Sequence, residues 1–198
     1  MYLHIRLLVY WDVATLQKRV FLLTGKPGVG KTTVLIEAVR IMKERGCFVG
    51  GMISQEVREN NLRVGFKILD LNSGKSGWLA KVNQKSGPQI GKYRVNIEDL
   101  DIIGARAIVD AMANCDIIVI DEIGPMELFS EKFREATRKA LESRKPVIAV
   151  VHWKAKDTLI GEAKSREDTE IYTVTQENRN TMSALLISVS YMHSCRRQ

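Results

Sequence analysis

The residues Gly25-Lys26-Pro27-Gly28-Val29-Gly30-Lys31-Thr32 match G-x-x-x-x-G-K-[ST] at every fixed position. Each fixed position has a physical purpose. Glycines let the backbone curl so that successive N–H groups point inward at an anion. A helix beginning at the loop adds its unpaired N–H groups and the positive end of its dipole. Lys31 is then placed to reach β- and γ-phosphates, and the Thr32 hydroxyl to bind Mg²⁺. The whole run Gly25, Lys26, Pro27, Gly28, Val29, Gly30, Lys31, Thr32 and Thr33 is read as nucleotide-binding, with Lys31 also catalytic.

A second constellation is Ile117-Ile118-Val119-Ile120-Asp121-Glu122. An apolar strand ending in an acid is the Walker B pattern. After a P-loop it makes Asp121, with Thr32, the metal-holding pair for Mg²⁺. Glu122, directly after it, has the position of a base that polarises attacking water; otherwise it is a surface acid at a strand end. Gly124 belongs to the nucleotide-binding set through the formal D-x-x-G of Asp121-Glu122-Ile123-Gly124. A GTP switch is not expected, because Pro125 stands where Gln would follow. No N-K-x-D occurs either: Lys154-Ala155-Lys156-Asp157 fails at its first two positions.

A P-loop with Lys and Mg²⁺ gains much from one further arginine. Candidates are Arg58, Arg63, Arg166 and Arg179. Arg58 and Arg63 have cross-hairpin acids, Glu56 and Glu59, as ordinary partners. Arg179 follows the last expected strand, at the carboxyl edge where ligands of such sheets bind. The helix dipole disfavours a cation in a first turn, so Arg179 is assigned to the nucleotide. His152 ends the strand PVIAVV, where a polar residue either meets a γ-phosphate or simply closes the strand.

The elements positioning these groups alternate. Strands are expected at 19–24, 47–54, 116–120, 146–151 and 170–175. Helices are expected at 32–45, 97–114, 130–143 and 176–192, with Ser130 as an N-cap. Between them, QEVR and LRVGFKILDL flank Glu59-Asn60-Asn61, a hairpin signal. Residues 55–95 are therefore read as a β-rich antiparallel insertion. The fold class is α/β: a P-loop three-layer sandwich with a mostly parallel central sheet. One domain spans 19–192, with an N-terminal extension at 1–18 and a basic tail at 193–198.

The chain has 198 residues, 45% hydrophobic and 27% charged, ordinary for a globular protein. No run approaches the roughly 18 apolar residues of a membrane span, and Met1–Trp11 has no signal-peptide pattern. Cys47, Cys115 and Cys195 are odd in number and lack metal-ligand spacing. Reduced thiols in a cytoplasmic protein are expected. The net charge of +7 permits a nucleic-acid partner, but the basic residues are scattered and no known nucleic-acid motif accompanies them. No signal for an oligomeric state is read.

These segments occur in an order that resembles a known family. They are the P-loop 25–33, Glu56-Val57-Arg58 with Arg63-Val64-Gly65-Phe66, the run Val119 to Ser130 (VIDEIGPMELFS), and Val174 to Asn180 (VTQENRN). The family is that of the thermophile nucleoside triphosphatases, whose human member is the cancer-related nucleoside triphosphatase. The resemblance covers about residues 19–190. It implies Mg²⁺-dependent hydrolysis of several nucleoside triphosphates with little base selectivity, phosphate and metal roles on Gly25–Thr32 and Asp121, and the base role on Glu122. Residues 1–18 precede the usual start of such proteins, and Val151-His152-Trp153-Lys154 departs from their Thr-Ile-Pro type. Two other activities fit the same motifs: phosphoryl transfer to a nucleoside or polynucleotide hydroxyl, and an NTP-dependent nucleic-acid-binding module.

Overall fold

The computed structural model describes residues 18–194; residues 1–17, the end of the basic tail and Cys195 lie outside them. The elements in order are β1 (Val20–Thr24), α1 (Lys31–Glu44), β2 (Val49–Glu59), β3 (Leu62–Asp70), β4 (Ser76–Lys81), β5 (Gln89–Ile90) and β6 (Tyr93–Val95). Then follow α2 (Ile97–Asp99), a π-helical stretch (Leu100–Ala105), α3 (Arg106–Asn114), β7 (Ile117–Ile123) and a 3₁₀ turn (Glu127–Phe129). The chain closes with α4 (Glu131–Glu142), β8 (Val147–Val151), α5 (Thr158–Ser165), β9 (Thr169–Thr173) and α6 (Arg179–Ser194).

Among the described residues the strands form one nine-stranded sheet, ordered β5-β6-β4-β3-β2-β7-β8-β1-β9. The strands β2, β7, β8, β1 and β9 run parallel. Their interior members are near-continuous apolar runs because helices cover both faces. Along β1 the side chains alternate between two cores. Phe21 and Leu23 face Leu35, Ala38 and Met42 of α1 and Leu186 of α6. Val20 and Leu22 face the opposite side with Ile108 of α3, Phe133 of α4 and Leu159 of α5. This is the expected three-layer α/β sandwich.

The antiparallel part extends the same sheet beyond β2. β2 is a single strand of 11 residues. Its first half pairs in parallel with β7, and it pairs with β3 in antiparallel from Met52 outward. The sequence places a boundary near Ser54 because the composition turns polar there. The polarity instead marks where the strand leaves the two-sided core. Asn60 and Asn61 both have positive φ, 48° and 62°, the conformation of a tight two-residue hairpin turn, which Asn tolerates.

The expected helix over 97–114 is helical throughout but passes through the π-helical stretch. Ser130 caps α4 as expected, its hydroxyl accepting from Phe133 N at 2.9 Å. Helix α5 (Thr158–Ser165) lies between two expected strands where the sequence pattern predicts no helix. Asp157 caps it, accepting from Leu159 N at 2.8 Å, and Leu159, Ile160 and Ala163 bury its apolar face. Its short length and central Gly161 hide that pattern. Cys47 and Cys115 are buried free thiols.

Candidate nucleotide-binding and hydrolytic site

The glycine-rich loop joins β1 to α1, and its backbone needs its glycines. Gly25, Gly28 and Gly30 all have positive φ. At Gly25 a Cβ would lie 2.5 Å from the Val174 carbonyl oxygen. Val174 N in turn donates to Thr24 O at 2.8 Å. The segment after β9 thus pins the start of the loop. Helix α1 begins at Gly30 with no side-chain cap, so its first-turn N–H groups face the loop. The Lys31 ammonium arches across it, donating to Gly25 O at 3.1 Å and Lys26 O at 3.3 Å.

Strand β7 brings the acids. Asp121 pairs in register with Ile53 of β2. Between Ile120 and Ile123 the pairing with β8 slips by one residue, a bulge of the kind that re-aims side chains beside sites. Asp121 is 1% exposed, and neither carboxylate oxygen has a hydrogen-bond partner of good geometry. Desolvation pushes its pKa up to about 7; the nearby Thr32 side chain pulls back, and the Glu122 charge adds to the rise. Burial also raises Glu122, against the pull of Lys31 and His152. Lys31, Thr32, Asp121, Glu122 and His152 therefore converge.

His152 makes the contacts of a residue that closes its strand. Its Nδ1 accepts from Lys154 N at 3.3 Å and Ala155 N at 3.0 Å, which closes the strand. The same residue lies close enough to Glu122 to act on its charge. Gly124 has a steric reason to be glycine. A Cβ there would lie 2.6 Å from Glu122 Oε1 and 3.0 Å from Glu127 Oε2. Glu127 is 4% exposed. Burial first, and the Glu122 charge second, hold its carboxyl well above the usual range.

The arginine candidates separate. Arg179 opens α6, and its Cδ lies 3.6 Å from the Cβ position of Gly30. With Thr33, Glu37, Asn180 and Ser183 it lines a cavity of about 460 Å³ beside the loop. Arg166 is corrected. It binds Asp168 at 2.8 Å, and Asp168 precedes β9 at the amino edge of the sheet, away from the loop. Arg58 and Arg63 both pair with Glu56, and Arg63 also bonds the Tyr93 hydroxyl at 3.0 Å. They make the ordinary hairpin contacts.

A model of the family described as NTPase matches residues 20–187. The chain belongs to the nucleoside-triphosphatase family. Nucleoside-triphosphatase THEP1 of Thermofilum pendens is 47% identical over 165 residues, 82% of this chain and 90% of that protein. The THEP1 of Methanosarcina acetivorans is 46% identical, covering 80% and 89%. In structure the chain is similar to THEP1 from Aquifex aeolicus, with TM-score 0.76, 28% identity and 86% and 98% coverage. It is also similar to the human cancer-related nucleoside triphosphatase, with TM-score 0.73, 32% identity and 86% and 96% coverage.

Membership in this family of P-loop triphosphatases implies a divalent cation, and the residues present fit one. A buried carboxylate with two unpartnered oxygens beside a threonine hydroxyl is costly unless a cation or proton satisfies it. Among the described residues no group of three or more His, Cys, Asp or Glu forms a metal cage. Thr32 and Asp121 alone suit a hard ion that takes its remaining ligands from phosphates and water. No helix among the described residues is long and apolar enough to cross a membrane. Glu127 is a further acid of the site without a sequence signal of its own. It stood inside the motif run, but only the fold buries it against Glu122.

Proposed function

We propose that the chain hydrolyses nucleoside triphosphates to diphosphate and phosphate with Mg²⁺ and low base selectivity. The observation that carries this reading is the meeting of Lys31 with the half-buried Glu122 at the mouth of the glycine-rich loop. The loop amides and Lys31 hold the β- and γ-phosphates and stabilise the charge that spreads on the transferring group. Thr32 and Asp121 would hold the ion, which would supply positive charge to the phosphates. Glu122 accepts a hydrogen bond from the attacking water and orients it in line with the leaving oxygen. His152 lies beside Glu122 at the same site.

The test is a phosphate-release screen across ATP, GTP, CTP, UTP and dTTP, with and without Mg²⁺ and with no added acceptor. Release from all five, dependent on Mg²⁺, is the expected result. Diphosphate formed only on adding a hydroxyl acceptor, with the γ-phosphoryl group on that acceptor and no free phosphate, would make the chain a phosphotransferase instead. A preference above about 10³-fold for one base in kcat/KM would require a polar base-reading pocket.

Arg179 is proposed as a nucleotide contact across Gly30. A charged hydrogen bond of this kind contributes about 1.5–3 kcal/mol. Arg179→Ala is expected to lower kcat/KM by about 10- to 100-fold at an unchanged melting temperature. If kcat and KM both stay within about twofold while the melting temperature falls, the residue is structural.

A further inference from the structure

The outer strands carry a basic and aromatic platform that the hydrolytic reading does not use. Lys67 pairs with Trp78 across β3 and β4, and Gly65 with Lys81. The Lys67 ammonium lies 5.4 Å and the Lys81 ammonium 5.1 Å from the Trp78 ring centre. A Cβ on Gly65 would lie 2.9 Å from Trp78 Cζ3, so the indole lies over the strand at a position that needs glycine. Lys81 pairs with Arg94 of β6, and Lys67 with Gln55 of β2. None of these face-sharing positions is acidic. Neither lysine has an ion-pair partner among the described residues.

Among the described residues the platform is partly open: Lys67 is exposed and Trp78, Lys81 and Arg94 are half-buried. Helix α2 and the π-helical stretch pack on β4 from the opposite face, where Ile103 and Asp99 crowd Gly77. The platform face is shared with Ile53, which packs with α1 farther in. Gln55, opposite Lys67, lies two residues beyond Ile53, the register partner of Asp121. The platform thus stands just past the carboxyl edge of the sheet, three strand spacings or about 14 Å from β7.

We propose that this face binds single-stranded nucleic acid, with a base stacked on Trp78 and phosphates on Lys67, Lys81 and Arg94. Stacking needs an accessible aromatic surface, and the backbone needs cations free of ion pairs; Trp78 supplies the first, and Lys67 and Lys81 the second, while Arg94 adds a guanidinium that donates to Gly87 O at 3.1 Å. A duplex hides its base faces and gains only the charge term. The net charge of +7 acts in the same direction at long range.

The test is anisotropy of labelled twelve-nucleotide oligo-U and oligo-dT, beside a duplex of equal length, on the full chain. Single strands are expected to bind more tightly than the duplex. The salt slope of log K should be about −2, as three neutralised phosphates give on a single strand. Trp78→Ala should weaken single-strand binding by about 5- to 100-fold. Trp78→Phe should keep most of it, and Lys67→Gln with Lys81→Gln should flatten the salt slope. Phosphate release from ATP, unchanged in each variant, shows that each is folded. Oligo-U favoured over oligo-dT would identify RNA as the ligand, and equal binding a general single-strand site. Equal affinity of wild type and Trp78→Ala, both folded, overturns the proposal. So does duplex binding as tight as single-strand binding, which leaves mere polyanion attraction.

Discussion

Glu122→Gln is expected to lower turnover by about 10²- to 10⁴-fold while nucleotide affinity stays near that of wild type, the scale of a lost general base. Glutamine has nearly the same shape, so the space that Gly124 leaves for the side chain is still filled. Lys31, Thr32 and the loop amides are untouched, and ground-state binding rests on them. What disappears is the negative acceptor for the water proton. The wild-type pH profile should carry the same signature. Burial raises the Glu122 pKa, so the acid limb of kcat should lie above the pH of an ordinary carboxylate near 4.3. Below that limb Glu122 is protonated and turnover is lost; above it turnover is full. Glu127 lies across Gly124 and interacts with the same charge, so the limb belongs to the pair rather than to one residue. Single-turnover rates and equilibrium nucleotide binding, measured from about pH 5 to 9, separate the two effects. Wild-type turnover in Glu122→Gln would end the base assignment, and a matching loss of affinity would make the residue a binding group.

The parts of the fold legible in sequence are those where one position answers to one physical demand. The loop glycines answer to backbone shape, Lys31 and Thr32 to phosphate and metal, and the β-branched run before Asp121 to a strand buried on both faces. What was hidden depends on who lies next door. Glu127 has no separate signal within the run VIDEIGPMELFS; only the turn after the β7 bulge carries it to the back of Glu122. Arg166 looks available in a charged stretch, until α5 and β9 place it beside Asp168 at the far edge. Lys67, Trp78 and Lys81 look like scattered surface residues. The pairing of β3 with β4, with a register shift beside Phe66, collects them on one face. Strand β2 was divided in the reading because a change of neighbours along one strand resembles a change of element.

The second large effect concerns Asp121, and it has opposite signs for stability and for activity. In the metal-free protein this carboxylate is buried with both oxygens unpartnered, and its pKa rises to about 7. The unfolded chain titrates the same group near 3.9. Between those values the folded state holds a proton that the unfolded state has released. Stability of the metal-free protein therefore falls as pH rises from about 4 to about 7, and levels off above. Asp121→Asn removes the titration and keeps the volume. At pH 8 the variant without metal should be more stable than wild type by on the order of 2–4 kcal/mol. The gain should shrink on going down to pH 5 and vanish near pH 4. With Mg²⁺ and a non-hydrolysable triphosphate the order should reverse. A ligand that binds only the folded state stabilises wild type, whereas the variant has lost the charged member of the Thr32–Asp121 pair and its phosphate release should drop to background. Thermal melts at several pH values, with chelator and with Mg²⁺ plus nucleotide, measure both signs. If Asp121→Asn is less stable than wild type at every pH in chelator, the carboxylate is anchored by the Thr32 hydroxyl and the Ser54 backbone. Its role would then be structural support of the loop rather than cation binding.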